Sequence, residues 1–321
     1  MNEELKEQLS DVFRNIENDL GTTGLSLLIL ESVTEAAEGF KGDLDHFYHQ
    51  FRELLMMVKN TKPRIAIVIS YFCEIWDEVA NRKDVIKNMD DLKTTLRDIS
   101  ELMLKENEND SVKIIRNAVQ NINDGDTILI HSHSRMVLRT IAAAHQAKKK
   151  FRVILAEQEE EKTLDMIHFL QDNHIHFFSI PEFMLSHIEN EVTKVFLGSL
   201  TLNNEHNFVT DAGTNSVVSE FHHAKIPIYM LISTRKFALW ESTTKQHTYK
   251  VSQKKKEKQP GKELTYNRIK FSHDRIPIDL LDYIVTEDGT YSPKQIVKLF
   301  TQRYEERQDL RKRHFHEGPH R

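Results

Sequence analysis

Two polar turns hold most of the side chains in this sequence that could do chemistry. The first is His131-Ser132-His133-Ser134-Arg135. It follows an apolar run, Thr127–Ile130, and precedes a helical pattern with Met136, Val137, Ile141 and Ala144 on one face. Ser134 has the side chain and the place to cap that helix. Exposed N–H groups at a helix start bind anions, and Arg135 would add a fixed positive charge. The second turn is Asp211-Ala212-Gly213-Thr214-Asn215, again ahead of a helical pattern. Glycine there permits close backbone approach, and Thr214 can cap or donate to a phosphate. Two helix N-termini on one crevice suit a phosphorylated small molecule. Each turn also has a plainer reading, in which Ser134 and Thr214 only cap and His131 packs under the sheet edge.

Other chemistry is poorly supported. Of 17 histidines, His131/His133 and His174/His176 are spaced so that a strand would put both rings on one face. Neither pair has a carboxylate or cysteine at metal-site spacing, so no metal is expected. Cys73 lies in an apolar stretch and reads as a buried, inert thiol. Gly-x-Ser-x-Gly, Walker A and Gly-x-Gly-x-x-Gly patterns are absent from the sequence, and no cofactor is expected.

The elements that must position the turns follow from periodicity. From residue 126 the chain alternates, with strands expected at 126–131, 151–156, 175–180, 193–198 and 226–232. Helical patterns fill 134–147, 160–172, 181–190 and 214–224. This alternation predicts an α/β fold with a doubly wound, mostly parallel, Rossmann-like sheet over 121–321. The first turn then lies outside a strand's carboxyl end, where open sheets bind ligands. Residues 195–212 are less regular, and LTLNNEHNF reads as a short hairpin or loop. Residues 1–120 are expected to form a helical domain. Leu44, Phe47, Phe51, Leu54, Leu55 and Val58 have helix spacing, and 90–105 is a further helix candidate before a polar turn at 105–111. The apolar run 65–72 fits a strand or a buried helix, and Trp76 and Val79 favour the helix. The lysine-rich stretch 245–263 reads as a mobile surface loop, with a phosphate or nucleic-acid contact as the sharper alternative. The basic tail from Arg311 is expected to fray.

Composition sets outer limits. A chain of 321 residues exceeds one typical domain and can bury a substantial core. With 29% charged residues and a formal net charge of −5, there is no global basic field, and no direct nucleic-acid partner is expected. A lone cysteine excludes an intramolecular disulfide and fits a reducing compartment. The acidic start MNEELKEQL is unlike a secretion leader, and the apolar run Leu20–Leu30 is too short to span a bilayer. The expectation is a soluble cytoplasmic protein with no membrane partner.

The motif IHSHSRMVLRTIAAA with the strand KKKFRVILAE, followed by VFLGSL, DAGTNSVVSEFHHAKIPIYML and LLDYIVTEDGTYSPKQIVKLF, resembles a known family. It is the family of the alpha, beta and delta subunits of eukaryotic translation initiation factor 2B, and the likeness is greatest to alpha. Ribose-1,5-bisphosphate isomerase and methylthioribose-1-phosphate isomerase belong to it too. The resemblance covers roughly the C-terminal two-thirds. It implies a homodimer made through the sheet domain and assembly with other initiation factor 2B-type subunits. It also implies a role in the guanine-nucleotide exchange complex for initiation factor 2. The exchange-catalytic domain belongs to another subunit.

The isomerases' catalytic cysteine matches Ser132, and their Gly-Ala-Asp matches Gly198-Ser199-Leu200, so both acid–base groups are replaced. Their Asn-Lys pair matches Thr210-Asp211, an acid where a phosphate-binding lysine stands. The chain is therefore expected to be a non-catalytic regulatory or assembly subunit. Its candidate phosphate pocket comprises His131, Ser132, His133, Ser134, Arg135, Gly198, Asp211, Gly213, Thr214 and Asn215. The alternative is a diverged sugar-phosphate or nucleotide binder, or an isomerase with relocated acid–base groups.

Overall fold

The structure is a computed structural model that describes residues 12, 24–60, 65–131, 133–240, 249–259, 262–271 and 273–316. Ser132, the N-terminal acidic stretch and the last five residues, 317–321, lie outside the described residues.

The N-terminal region is helical: α1 (24–39), α2 (Leu44–Lys59), α3 (Ala66–Asn81) and α4 (Met89–Val119). Asp43 caps α2 by accepting from the His46 N–H at 2.9 Å. Asn88 caps α4, accepting from the N–H groups of Asp90 and Asp91 at 2.9 Å each. Such caps give partners to donors that a helix start leaves unsatisfied. Phe47, Phe51 and Leu55 of α2 share one core with Phe72 and Ile75 of α3 and Leu92, Leu96 and Ile99 of α4. Phe51 stacks on Trp76 with ring centroids 5.9 Å apart. The ambiguous run 65–72 belongs to α3, buried around most of its girth, as a helix at the centre of a bundle must be.

The polar turn expected at 105–111 does not form. α4 runs unbroken for 31 residues, because Met103, Asn107, Ser111, Ile114 and Ala118 keep its buried stripe in register. Asn107 and Ser111 look like turn residues in sequence, but here they are small polar members of that stripe. α4 begins in the helical core and ends in the sheet core, where Ile114 and Ala118 pack.

Seven strands form the main sheet in the order β12-β11-β7-β4-β1-β2-β3. They are β1 (Thr127–His131), β2 (Arg152–Glu157), β3 (Phe177–Pro181), β4 (Lys194–Gly198), β7 (Ile228–Leu231), β11 (Tyr283–Thr286) and β12 (Gly289–Tyr291). Only β12 pairs antiparallel. Alternate residues feed different cores. Ile128 and Ile130 of β1 join α4, α5 (Arg135–Gln146) and α6 (Glu160–Asp172) on one face. Leu129 joins α7 (Thr214–His223) and α8 (Pro293–His316) on the other. The period of two along a strand divides one apolar run between two layers, which makes the sheet doubly wound.

The second core is extended by a small antiparallel sheet, β10 (His273–Pro277)-β6 (Asn207–Asp211)-β5 (Thr201–Leu202), so LTLNNEHNF is a hairpin. Three expectations are corrected. The helix expected at 181–190 is a short 3-10 turn, Glu182–His187, because Pro181 closes β3 and, of the turn's apolar side chains, only Leu185 is buried while Phe183 and Met184 are exposed. His174 sits in a left-handed turn (φ 56°) ahead of β3, so His174 and His176 do not share a strand face. The lysine-rich stretch is an antiparallel ribbon over its described residues, β8 (Tyr249–Gln259) and β9 (Lys262–Phe271), rather than a loop. In addition, the backbone past Arg311 stays helical, to His316.

Candidate functional site

Sheet order explains where the site lies. The chain lays down β1, moves outward through β2 and β3, then crosses back to place β4 on β1's other side. The switch point is between β1 and β4, and a crevice opens there at the strands' carboxyl ends. His131 closes β1 and pairs in register with Leu197, one residue before Gly198 closes β4. The first turn and Gly198 therefore meet at the switch point.

At the first turn, Ser134 caps α5 and accepts from the Val137 N–H at 3.4 Å. Gly198 serves this contact directly: a Cβ there would overlap the Ser134 side chain. Glycine at 198 thus lets the first turn of α5 lie against β4. Arg135, next along, is exposed. His133 donates its backbone N–H to Asp211 Oδ2 at 3.3 Å, and its ring Nε2 lies 3.8 Å from Asp165. Burial lowers the His133 pKa below the ordinary histidine value, against the opposing pull of Asp165.

The second turn meets the first. Gly213 takes the left-handed conformation (φ 99°) that the entry to α7 requires. Thr214 is fully buried, donates its hydroxyl to the Asp211 carbonyl at 2.7 Å and lies 3.2 Å from His131 Nδ1. With its proton engaged, the Thr214 oxygen is free to accept from Nδ1–H, which leaves the other ring nitrogen of His131, Nε2. That atom is buried without a hydrogen-bond partner, 3.6 Å from Glu182 Oε2.

The charges at this crevice are mostly the chain's own. Asp274, from β10, accepts the N–H groups of Gly213 and Asn215 on one oxygen, at 2.9 Å each. Glu182 lies so close to Gly213 that a Cβ there would stand 2.7 Å from its Oε2. Asp211 is paired with Lys162 of α6 at 2.7 Å, and both side chains are largely buried. The donors that would hold a phosphate at the start of α7 already hold a carboxylate. Likewise, the acid expected to repel phosphate is neutralised by a lysine.

His131, His133, Ser134, Gly198, Asp211, Gly213 and Thr214 come together, with Arg135 and Asn215 on the exposed side. Sequence reasoning missed Lys162, Asp165, Glu182 and Asp274. Glu182 follows the carboxyl end of β3 and Lys162 starts a helix after β2, so strand-end position could have flagged both. Asp274 is 61 residues from Gly213 and has no local signal. Leu200 donates its N–H to the Val209 carbonyl at 2.9 Å and brings no carboxylate to the crevice. Among the described residues, no three His, Cys, Asp or Glu side chains are grouped to hold a metal, and no helix is long and apolar enough to cross a membrane.

Comparison with known proteins places this architecture. The chain is 30% identical over 198 residues to translation initiation factor eIF2B subunit delta of Dictyostelium discoideum, covering 57% of this chain and 32% of that protein. It is 24% identical over 204 residues to ribose 1,5-bisphosphate isomerase of Archaeoglobus fulgidus, covering 60% and 64%. The chain thus spans less than two thirds of either relative. The crystal structure of translation initiation factor eIF-2B from Pyrococcus horikoshii superposes with a TM-score of 0.72 at 23% identity, covering 91% of this chain and 99% of that one. A subunit of the tetrameric eIF2B-beta2-delta2 complex from C. thermophilum gives 0.70 at 16% identity, over 91% and 93%. Those two likenesses establish the fold. The model of the initiation factor 2 subunit family matches residues 20–293, and the chain belongs to that family.

Proposed function

We propose that this chain is a non-catalytic regulatory and assembly subunit of initiation factor 2B type, acting in the cytoplasm within a guanine-nucleotide exchange complex for initiation factor 2. The observation that carries the non-catalytic reading is the crevice. Asp274 occupies the N–H donors of α7, Glu182 crowds Gly213, and Leu200 stands where the isomerases have an aspartate. A site that must accept a bis-phosphate would not present carboxylates to it.

The alpha-type place within such a complex rests on the motif IHSHSRMVLRTIAAA. The named relatives include delta subunits, so the alpha and delta places are to be separated by partner choice. We further propose a homodimer made through the sheet region. The C-terminal stretch VTEDGTYSPKQIVKLF does not supply its surface, because Val285, Ile296 and Phe300 are buried within the protomer. The supporting surface is instead at the open edge strand β3 and the 3-10 turn after it, where Phe178 of the strand and Phe183 and Met184 of the turn are exposed, Phe183 by 86%.

Light scattering at micromolar concentration, with an isomerase assay on ribose 1,5-bisphosphate and methylthioribose 1-phosphate, tests this reading. A dimer mass without turnover is expected. A monomer removes the dimer, and turnover above background that Glu182→Gln abolishes overturns the non-catalytic role. A second reading, a sugar-phosphate or nucleotide binder, is favoured by the buried, partnerless Nε2 of His131. A ligand hydroxyl, which can donate or accept, would supply the hydrogen-bond partner that atom lacks. Titration calorimetry with sugar phosphates and nucleoside monophosphates decides it.

A further inference from the structure

Three buried side-chain atoms have no hydrogen-bond partner among the described residues: Tyr71 Oη, Asn204 Oδ1 and His131 Nε2. Only the last stands at a strand's carboxyl end, where the crevice opens. A buried polar atom left without a partner is costly, and in a native site it marks a place where something else completes the bonding. Its neighbour is in the same condition. The Glu182 carboxylate lies 3.6 Å from Nε2, beyond hydrogen-bond length, and among the described residues it accepts no hydrogen bond. Glycine at 213 leaves that carboxylate its room, since a Cβ there would stand 2.7 Å from Oε2. His131 is wholly buried and the Glu182 side chain is 28% exposed, so the pair meets solvent on the Glu182 side. Two groups that lack partners therefore face one point in the crevice.

The charge around that point selects what can fill it. Glu182, Asp274, Asp211 and Asp165 stand there against Lys162 and Arg135. Lys162 is taken up by Asp211 at 2.7 Å, and Arg135 is exposed. A phosphate would bring roughly −1.5 to −2 charge and further acceptor oxygens to a carboxylate that lacks a donor. Hydroxyls bring no charge and can both donate and accept. One hydroxyl can donate to Glu182 while its neighbour bonds Nε2 in either protonation state of the ring, which an ammonium, with donors only, cannot match. Adjacent hydroxyls on the same side of a sugar ring have about the spacing of the two protein atoms.

We propose that the crevice binds the adjacent hydroxyl pair of an unphosphorylated sugar ring, free or carried by a nucleoside, through His131 Nε2 and the Glu182 carboxylate. This inference rests on the binder reading given above and narrows its ligand to a sugar without phosphate. The assembly role stands or falls separately.

The test is saturation-transfer NMR, which reads weak binding, with titration calorimetry on the full chain. The ligands are methyl ribofuranoside, uridine, 2′-deoxyuridine and uridine 5′-monophosphate. The glycoside and uridine should bind. Equal affinities identify the free sugar as the ligand class, and tighter uridine identifies a nucleoside. 2′-Deoxyuridine, which lacks one hydroxyl of the pair, should bind at least about tenfold more weakly than uridine. The monophosphate should also bind more weakly than uridine, because its charge lies within a Debye length, about 8 Å in physiological salt, of the carboxylates. Glu182→Gln keeps an acceptor and removes a charge, so it should hold uridine and narrow the gap to the monophosphate. Glu182→Ala should lose uridine by at least about tenfold. Glu182 lies on a partly exposed turn, and circular dichroism checks that both variants fold. Absence of binding by the glycoside and uridine overturns the proposal, as does equal binding of uridine and 2′-deoxyuridine. A monophosphate that binds more tightly than uridine overturns it too and leaves a phosphate site. Light scattering and partner capture report on the subunit reading by themselves, so its failure is told apart from failure here.

Discussion

Arg235 tests how the helical region is held to the sheet. It lies on a 3-10 turn after β7, and its guanidinium contacts Glu74 of α3, Glu106 of α4 at 2.7 Å and Asp110 of α4 at 3.5 Å. It also sits 5.8 Å from the centroid of the buried Tyr71 ring. Arg235→Met keeps most of the volume but leaves three carboxylates around an uncharged stem. Removing one partner of a buried pair costs about 3–5 kcal/mol. The side chain of Arg235 is 16% exposed, but Glu106 is 46% exposed, so solvent screens part of the interaction. We therefore expect about 3 kcal/mol, a large share of the ~5–15 kcal/mol that holds a typical domain. Arg235→Lys should lose about 1–2 kcal/mol, since one ammonium cannot reach three carboxylates. Adding Glu74→Gln and Asp110→Asn to Arg235→Met should recover most of the loss, because the stranded charge is the cause. Denaturant midpoints measured with fluorescence and circular dichroism read all four proteins. An Arg235→Met protein within about 0.5 kcal/mol of wild type, or a triple variant no better than the single, would refute the argument.

Other predictions concern the site and its supports. Burial depresses the His133 pKa, so the unfolded chain binds more protons in acid, and stability should rise with pH through the window below the ordinary value of 6.5. Replacing His133 by Gln should remove part of that slope in pH-dependent unfolding. Gly198→Ala should destabilise by about 1–3 kcal/mol through overlap with Ser134, and adding Ser134→Gly should restore stability. Asp274→Ala should cost about 1–2 kcal/mol by stripping the cap from α7. It should also expose two N–H donors, so phosphate binding by calorimetry should improve if those carboxylates block the crevice. Burial raises the Glu287 pKa above the ordinary 4.5 while Thr234 donates to it. Its stabilising contribution is present below that value and lost as pH rises through the folded pKa. The stability advantage of wild type over Glu287→Gln should therefore shrink as pH rises above the ordinary 4.5 in denaturant titrations, and a constant difference would contradict it.

The limits of sequence reasoning show in particular elements. The strands expected at 126–131 and 193–198 are β1 and β4, because a buried parallel strand needs an unbroken apolar run that is visible without context. The continuity of α4 is not legible in the same way, because Asn107 and Ser111 belong equally to a turn or to a buried helical stripe, and only the packing around them decides. The 181–190 pattern gave way to a 3-10 turn for a related reason: a short periodic segment lacks the buried area to hold a full helix.

The functional region divides in the same way. Local order along the chain determined the βαβ alternation, the cap at Ser134 and the Gly213 turn. These depend on residues within a few positions of one another, where backbone preference and periodicity act. Tertiary structure alone decided what surrounds the two turns. Asp274 reaches Gly213 across 61 residues and Lys162 reaches Asp211 across 49. Electrostatic energy depends on distance in space, and the sheet's crossover from β3 to β4 sets that distance without leaving a mark in the local sequence.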